Sequence, residues 1–442
     1  MYYIDYDSKK RTKMEMIARN EKNISACMRK ILFAMVVALL VLACEKPNLD
    51  DNRIPKDPEE SEMPGTPDGS GTPETPDENE TPETPDENET PDVPEEPSFP
   101  DLSSGETANS YIVSSAGTYR FRADVKGNGT ESVGTPASAE VLWETFGSFA
   151  VPEPGDLIAD VRYEDGFVVF STPETLVDGN ALIAVKDEDG AILWSWHIWI
   201  CEGFDPVETQ QVYANEAGIM MDRDLGATSA VPDDARSWGL FYQWGRKDPF
   251  MGNGSSTANT GAAASVDWPS TVQSGPETGT VEFTVRNPMV FIENSNQHWH
   301  AESDMSLWKD DKTEYDPCPP GWKVPTGGGR GFWAKAFKNY NGEREFKAPE
   351  FWLDDEHGML FPEEITGTPA WYPASAYINS VGKMERYYNG QYGYRWSVTE
   401  GGTRAYVFSI LHSWAYTTPV VRPYSETFPC ATATAVRCCR DE

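Results

Sequence analysis

The sequence is short of positive charge. Its 442 residues include 36 Lys+Arg against 71 Asp+Glu, which gives a formal net charge of −35. Proteins that bind nucleic acids neutralise phosphates with basic patches, and docking on an anionic membrane surface needs the same kind of charge. The composition therefore argues against a nucleic-acid partner and against direct electrostatic attachment to a membrane.

Groups typical of metal, phosphate and nucleophile chemistry are also sparse. The chain has five histidines, and the alternation of His298, His300 and Glu302 permits a metal site but fits a polar surface loop better. The glycine run Gly327–Gly331 lacks the Lys-Ser/Thr pair that completes a P-loop. His412 has no Gly-x-Ser-x-Gly nucleophile context. We therefore expect no metal, no cofactor and no catalytic residue.

A short apolar segment lies near the N-terminus and ends in a cysteine. Two cations precede thirteen uncharged residues, Ile31–Ala43, and Cys44 follows. This segment is too short for a membrane span but suits a signal peptide. Because a small residue precedes Cys44, residues 28–43 resemble a bacterial lipoprotein signal peptide, and we expect Cys44 to be lipidated. An ordinary cleaved signal or a transmembrane anchor is the alternative. Residues 1–27 are polar, and we expect them to precede the true start at Met28.

Residues 44–104 have the composition of a tether. Residues 57–100 contain eleven Pro, sixteen Asp+Glu and no Lys or Arg, and one nonapeptide, TPETPDENE, occurs at 72–80 and again at 81–89. Low hydrophobicity with charge of one sign cannot offset chain entropy, so we expect disorder. Proline and charge repulsion favour an extended chain, which could lift a folded head on the order of 100 Å from a membrane. A neutral linker is the alternative interpretation.

Residues 105–203 have the pattern of a β-domain. The sequences Glu164-Asp165-Gly166 and Asp187–Gly190 are typical of hairpin turns between short strands. Six or seven such strands predict a β-sandwich with an immunoglobulin-like fold. The run Ile192–Ile200 is apolar on both faces, so we expect a central strand whose three Trp are core residues rather than a ligand platform. The acidic turn at 187–189 could bind Ca²⁺, but a solvated turn is the better interpretation.

Residues 204–442 carry a series of aromatic, Pro- and Gly-rich motifs. They are MDRDLGA at 221–227, WGLFYQWGRKDPF at 238–250, YDPCPPGWKVPT at 315–326, YPASAY at 372–377, YGYRWS at 392–397 and AVRCCRD at 435–441. In this order they resemble the Fibrobacter-type major paralogous domain, which is common in surface lipoproteins of Bacteroidota. The Cys-Pro-Pro-Gly-Trp element is the most specific part of the likeness, and the preceding β-domain looks like the companion domain of the same proteins.

The resemblance implies a C-type-lectin-like fold for residues 204–442, an α+β unit with long loops. In such domains an early and a late cysteine form a disulfide, so by this pattern Cys318 should pair with Cys438. Related domains serve in adhesion and glycan binding, and the formylglycine-generating enzyme uses a cousin of the fold. Fold alone does not assign function.

Three further cysteines, Cys201, Cys430 and Cys439, must either form disulfides or be buried as free thiols. Cys438 and Cys439 are adjacent, and neighbouring residues of a strand point to opposite faces. Cys439 could therefore meet Cys430 in a terminal hairpin or Cys201 across the domains, and we favour Cys430–Cys439 with Cys201 unpaired and buried. A zinc site is the competing interpretation, but the spacing is not of the paired CxxC type. A redox pair of the formylglycine-generating kind would need two close cysteines in a groove.

The best candidate for a recognition surface is a polar, aromatic stretch around residues 385–394. Its glycines and polar residues predict a loop, and binding residues concentrate on loops. Exposed aromatic rings stack on sugar faces, and polar side chains bind sugar hydroxyls. We therefore expect ligand contacts from Tyr387, Tyr388, Tyr392, Tyr394 and Arg395.

Together these patterns predict an outer-membrane lipoprotein that is exposed on the cell surface. Its lectin-like head would bind a glycan or a surface protein as a non-catalytic, adhesin-like module. One alternative is a structural or accessory part of a surface assembly such as a fimbria, and a remote one is an enzyme of the formylglycine-generating type. A location facing the periplasm is the alternative to surface exposure.

Overall fold

The computed structural model describes most of the chain beyond residue 98. The described residues are 99–252, 262–268, 271–340, 344–354, 357–385, 390–399, 402–413 and 415–441. They all lie in one compact unit, Asp92–Glu442. The expected start site, signal peptide, Cys44 and nearly all of the tether lie outside the described residues. Within the described part, no helix has the length and apolar character to cross a membrane.

Seven strands form two sheets in the first half of this unit. Their bounds are β1 Ser110–Val113, β2 Thr118–Arg122, β3 Ser138–Thr145, β4 Asp160–Glu164, β5 Phe167–Ser171, β6 Gly179–Lys186 and β7 Ile192–Ile200. One sheet has the order β1-β7-β6-β3 and the other the order β2-β5-β4. Strand β1 runs parallel to β7, whereas the other neighbouring strands are antiparallel.

Strand β7 is buried on both faces, as its apolar sequence predicts. Trp194, Trp196 and Ile198 belong to a hydrophobic cluster that includes residues of the three-stranded sheet. Trp199 belongs to a second cluster, which extends into the chain beyond residue 203. Because alternate residues of a strand share a face, one strand contributes to two cores. The expectation of a central strand with three buried Trp is confirmed.

The two predicted hairpins are also present. Asp165 and Gly166 have φ angles of 49° and 87° and form a two-residue turn between β4 and β5. Positive φ at both central positions is the turn geometry whose twist matches that of paired strands. The second hairpin joins β6 to β7, and the Asp187 carboxylate accepts hydrogen bonds from the backbone N–H groups of Asp189 and Ala191. The acidic side chain of the turn therefore satisfies two backbone N–H groups of the same turn.

Short strands and long connections build the second half. The strands are β8 Gln211–Tyr213, β9 Gly218–Met220, β10 Phe241–Gln243, β11 Val272–Gln273, β12 Ile292–Glu293, β13 Trp322–Lys323, β14 Phe346–Lys347, β15 Trp352–Leu353, β16 Gly358–Phe361, β17 Ala370–Pro373, β18 Tyr392–Trp396, β19 Arg404–Leu411, β20 Val420–Pro429, β21 Ala433–Ala435 and β22 Cys439–Arg440. The largest sheet has the order β10-β21-β18-β19-β20-β14, and smaller ones have the orders β13-β22-β9-β8, β15-β16-β17 and β11-β12. The helices are α1 Val281–Arg286, α2 Phe332–Ala336 and α3 Glu363–Thr366, with 3-10 turns at Ala235–Trp238 and Gly328–Arg330.

The described architecture is thus rich in β-structure, with several sheets and short helices, as the sequence predicts. The short helix α2 directly follows the glycine run. One hydrophobic cluster joins the halves, since it contains Trp143 and Trp199 from the first half and Trp244 and Trp308 from the second. The domain division near residue 203 stays a prediction from sequence, and the structure adds that the residues on either side of it share a core.

A buried lysine fixes the second half against β7. The Lys247 ammonium donates hydrogen bonds to the backbone carbonyl of Ser195 at 2.9 Å and to its hydroxyl at 2.7 Å. The same ammonium lies 2.7 Å from the Asp248 carboxylate and 4.6 Å from the centre of the Trp194 ring. The Ser195 hydroxyl in turn donates to Asp248. Because a buried charge is tolerated only when it is paired and hydrogen-bonded, this arrangement sets the position of one half on the other.

A second buried ion cluster lies inside the second half. The Asp224 carboxylate accepts hydrogen bonds from Arg437 Nε at 2.9 Å and from Arg395 Nη2 at 2.8 Å, and all three side chains are buried. The two guanidinium groups lie 3.8 and 5.0 Å from the centre of the Tyr372 ring. Arg437 also donates to the carbonyl of Trp371 and Arg395 to that of Pro373. One carboxylate therefore holds three distant segments together.

Asp224→Asn is expected to destabilise the protein by about 3–5 kcal/mol, the cost typical of breaking a buried ion pair. The substitution keeps the size of the side chain but leaves two buried guanidinium groups without a counter-charge. Urea unfolding followed by Trp fluorescence measures the loss. Asp160→Asn, which removes the exposed partner of Arg162, is the control and should change the free energy of unfolding by less than about 0.5 kcal/mol. Equal effects of the two substitutions would contradict the structural role of Asp224.

Candidate functional site

The structure buries three of the five residues expected to form the recognition surface. Tyr392, Tyr394 and Arg395 lie on β18, an inner strand of the six-stranded sheet. The Tyr394 ring packs 4.5 Å from that of Phe428, and Arg395 belongs to the Asp224 ion cluster. Burial also raises the pKa of Tyr394 well above its usual value. The expectation of a surface role for these three residues is wrong, because a strand covered on both faces directs its side chains into two cores.

The other two expected contacts, Tyr387 and Tyr388, lie outside the described residues. The flanking residues on either side are described, at Glu385 and at Gly390. A role for the two tyrosines in recognition therefore stays a prediction.

The cysteines follow the sequence expectation in part. Cys318 and Cys438 form a disulfide across 120 residues of sequence, as the family resemblance implied. Cys201 is unpaired and buried, as expected. The expected Cys430–Cys439 pair is absent, and both thiols are unpaired. The two residues cannot meet because they lie in different hydrophobic clusters. Adjacent strand residues face opposite ways, which points Cys439 away from the core that contains the disulfide and Cys430.

The environment of the three unpaired thiols disfavours their reactive thiolate form. Burial raises the pKa of Cys201 to about 11 and that of Cys439 to about 12, and it raises the pKa of Cys430 further. Since the thiolate is the reactive form, thiols with raised pKa values are poor nucleophiles and poor redox centres. Their arrangement favours packing over chemistry.

Of the histidine motif, only His298 is buried, whereas His300 is partly exposed and Glu302 is exposed. The His298 ring lies buried 5.9 Å from that of Trp244, and its Nδ1 accepts a hydrogen bond from the backbone N–H of His300 at 2.9 Å. Burial lowers the pKa of His298 to about 3, so the ring is neutral at ordinary pH. Within the described residues there is no group of three or more His, Cys, Asp or Glu side chains that could hold a metal ion.

The first candidate site is an apolar cavity of about 720 Å³, here called the aromatic cleft. It is lined by residues from both halves of the unit, including Phe149 and Val151 from the first half and Phe250, Trp268, Phe291 and Met384 from the second. Phe149 and Val151 are among the few large apolar side chains of the described chain that are exposed. Polar groups are few, and Asp267 is one of them.

Packing and backbone hydrogen bonds hold the cleft in shape. The Trp268 ring lies between those of Trp143 and Phe250, at centroid distances of 5.8 and 6.1 Å. The segment before it follows the end of β3, where the Ala263 N–H donates to the carbonyl of Ser148 at 2.8 Å. A cavity whose walls are fixed before binding loses little entropy when a ligand enters.

The second candidate site is a groove formed by two adjoining cavities of about 430 Å³ each. The cavities share Asp310, Val398 and Thr399, and we call them together the polar groove. Its walls combine apolar side chains, such as Trp308 and Val398, with charged and hydroxyl side chains, among them Lys309, Asp311, Thr326, Arg330, Lys335 and Tyr406. It shares no lining residue with the aromatic cleft.

The glycine run forms one side of the polar groove. A Cβ atom on Gly327 would lie 2.4 Å from the Ser397 hydroxyl, and one on Gly331 would lie 2.4 Å from the carbonyl oxygen of Thr326. Gly328 has a φ of +72° and faces the Tyr406 ring. Only glycine fits such close backbone approaches and this left-handed conformation. The run is therefore required by packing beside the groove, whereas the sequence alone showed only that it is not a P-loop.

Sequence reasoning missed both cavities. The aromatic cleft is built from residues far apart in sequence, and the available signal was the pair of apolar side chains, Phe149 and Val151, in a loop rich in Pro and Gly. The polar groove had a clearer signal, because Arg330 and Lys335 flank a glycine run in an acidic chain. Comparison of the chain with models of protein families, with curated proteins and with solved structures finds no match.

Alkylation of the folded protein with iodoacetamide should leave Cys201, Cys430 and Cys439 unmodified, because their thiols are buried and protonated. Unfolding in guanidinium without reductant should expose all three, whereas Cys318 and Cys438 should require reduction as well. Peptide mapping by mass spectrometry identifies each modified residue. Recovery of a disulfide-linked peptide that joins Cys430 to Cys439 would show that the pairing described here is incorrect.

Proposed function

We propose that this protein is a lipid-anchored, non-catalytic binding protein of the cell surface, and that its head recognises a glycan or a protein ligand in the aromatic cleft. The observation that carries the proposal is the cleft, an apolar cavity with fixed walls on an otherwise charged molecule. Ligand sites are typically concave and mostly apolar, with a few polar groups that orient the ligand. The cleft has this composition.

The chemistry of the cleft suits a ligand with a flat apolar face. The Phe149 ring is exposed and the Trp268 ring is half-buried at the wall, so each can stack against the C–H face of a sugar ring or an apolar side chain. Asp267 and Thr271 also line the cavity and can bond hydroxyl or amide groups. An adhesin-like role needs such a preformed site and no reactive group.

For the fold, we propose an immunoglobulin-like β-sandwich followed by a C-type-lectin-like domain of the Fibrobacter-type major paralogous family. Support comes from the two facing sheets of the first half, which share a hydrophobic cluster. In the second half, the disulfide joins an early and a late cysteine, Cys318 and Cys438, as the resemblance implied. The short helices and long connections also agree with a lectin-like domain.

For attachment, we propose that lipidated Cys44 holds the protein in the outer membrane and that residues 44–104 separate the head from the bilayer. The lipobox-like end of the apolar segment supports anchoring, and the acidic, Pro-rich composition supports an extended spacer. A head held at a distance from the membrane suits a partner outside the cell.

Two alternatives remain distinct from this proposal. A structural or accessory role in an assembly such as a fimbria would use the same anchor and head but would need no soluble ligand. An enzyme of the formylglycine-generating type would need reactive cysteines, and the buried, protonated thiols of Cys430 and Cys439 do not support it. The size and lining of the aromatic cleft favour binding.

Polar substitutions in the cleft should weaken ligand binding. Val151→Ser and Val266→Ser change side chains that line the cleft and are 65% and 39% exposed. Burial of a valine contributes about 1.5–3 kcal/mol, so each substitution should weaken binding by about tenfold if the ligand covers that residue. A glycan array identifies ligands of the full chain in detergent, and titration calorimetry then compares the variants.

The matched controls are Val231→Ser and Val207→Ser, at side chains that are 61% and 46% exposed and do not line the cleft. They should bind as the original protein does. The absence of any glycan ligand would leave a protein ligand or a structural role, whereas unchanged binding in both cleft variants would exclude the aromatic cleft as the site.

Protease treatment of intact cells should release the head if it faces outward. Cleavage is expected within residues 44–104, because an extended chain is accessible to protease whereas the compact unit is not. Immunoblotting of the supernatant and of the cells measures the release, and a known periplasmic lipoprotein serves as the uncut control. Retention of the whole protein, while a known surface protein is cut, would place it on the periplasmic side.

A further inference from the structure

We propose that the polar groove is a second binding site, which takes the acid group of a carboxylated or sulfated saccharide. The inference goes beyond the proposed function, because it depends neither on the lipid anchor nor on the aromatic cleft. It is carried by three observations: the charges of the groove, their lack of partners, and the polar groups around them.

The groove contains three cations. Lys309, Arg330 and Lys335 are exposed, and none has a hydrogen-bond or ion-pair partner among the residues that the structure describes. Residues 102–442 hold 25 Lys+Arg against 47 Asp+Glu, so possible carboxylate partners outnumber the cations. In such an acidic chain a cation can readily find a carboxylate, and Arg162, Arg236 and Arg422 do so even at the surface.

The local fold directs two of these cations into one cavity. Arg330 ends the 3-10 turn Gly328–Arg330, and Lys335 lies on α2, whose Phe332 and Trp333 are buried in the core. Because the buried residues fix which face of α2 points inward, Lys335 is directed to solvent on the side of the groove. An arginine supplies a planar pair of donors for a carboxylate or sulfate, and a nearby lysine adds charge.

The remaining groups of the groove indicate a saccharide rather than a simple polyanion. Asp310 and Asp311 also line the groove and are exposed, and they would repel a polyphosphate but can accept hydrogen bonds from sugar hydroxyls. Tyr406 and Thr326 add an aromatic face and a hydroxyl group. A sugar acid combines one negative group with several hydroxyl donors, which matches this mixture of cations and carboxylates.

The Gly327–Gly331 run gives such a ligand close access to the backbone on this side. The glycines bring the 3-10 turn against Val398 and Tyr406 and add no side chains of their own to the cavity that Arg330 and Tyr406 line. The groove remains open beside the tightly packed backbone. Because the glycines carry no side chains, they both allow the close backbone packing and leave the cavity open.

The experiment measures binding by the full chain in detergent, using titration calorimetry. The probes are an oligogalacturonate, a heparin-derived oligosaccharide, a neutral maltooligosaccharide of similar length, and inorganic sulfate. We expect binding of at least one acidic oligosaccharide and none of the neutral one. The double variant Arg330→Ala/Lys335→Ala should lose about tenfold or more in affinity, because charge-assisted hydrogen bonds are removed. Preference for the uronate or for the sulfated probe would identify the acid group, and either supports the inference.

The matched control is Lys338→Ala/Arg344→Ala, which removes the same charges at exposed positions that do not line the groove. Its affinity should stay within about twofold, since isolated surface charges contribute little. The cleft variant Val151→Ser/Val266→Ser should also retain acidic-saccharide binding, which separates failure of this inference from failure of the proposed function.

Three results would overturn the inference. The first is equal loss of affinity in the groove and control variants, which would indicate general charge attraction. The second is binding of inorganic sulfate without binding of either acidic oligosaccharide. The third is no binding of any probe by a protein whose near-ultraviolet circular dichroism shows it to be folded.

Discussion

The carboxylate of Asp224 is the constraint on which the second half of the molecule depends. It binds Arg395 on β18 and Arg437 near the C-terminus, and the two guanidinium groups in turn bind the backbone around Tyr372. With short strands and few helices, this half has little regular hydrogen bonding to fix its long connections. A buried ion cluster supplies direction that apolar packing lacks, since each charge must meet its partner in one geometry. The disulfide then fixes the C-terminal segment next to it.

Burial of polar groups also explains why the two halves act as one body. Strand β7 presents Trp194 and Trp196 to one core and Ser195 and Trp199 to the other side, where Lys247 and Asp248 meet it. Separation of the halves would expose tryptophan and break the hydrogen bonds that Lys247 and Asp248 form with Ser195. The walls of the aromatic cleft come from both halves, so the packing that joins the halves also forms the cleft.

Sequence predicted those features that depend on local pattern. Period-two alternation, hairpin turns and the apolar run at 192–200 are local, and the structure has them as expected. The role of residues 392–395 was not predictable in this way, because a run of tyrosines with an arginine can mark either a binding loop or an inner strand. Arg395 is part of an inner strand because it binds Asp224, which lies 171 residues away in the sequence. The aromatic cleft escaped sequence reasoning for the same reason, since its rings meet only after the halves pack.

The arginines show how structure and recognition can be separated on physical grounds. Arg395 and Arg437 are buried and share the carboxylate of Asp224, so they stabilise the fold and are not accessible to a ligand. Arg330 is exposed and has no partner within the described chain, so its donors are available. The same residue type serves both purposes, and its partners decide which. In a chain with this excess of acid, an exposed guanidinium beside an open groove can pair with a ligand that brings its own acid group, which is the role that we propose for the polar groove.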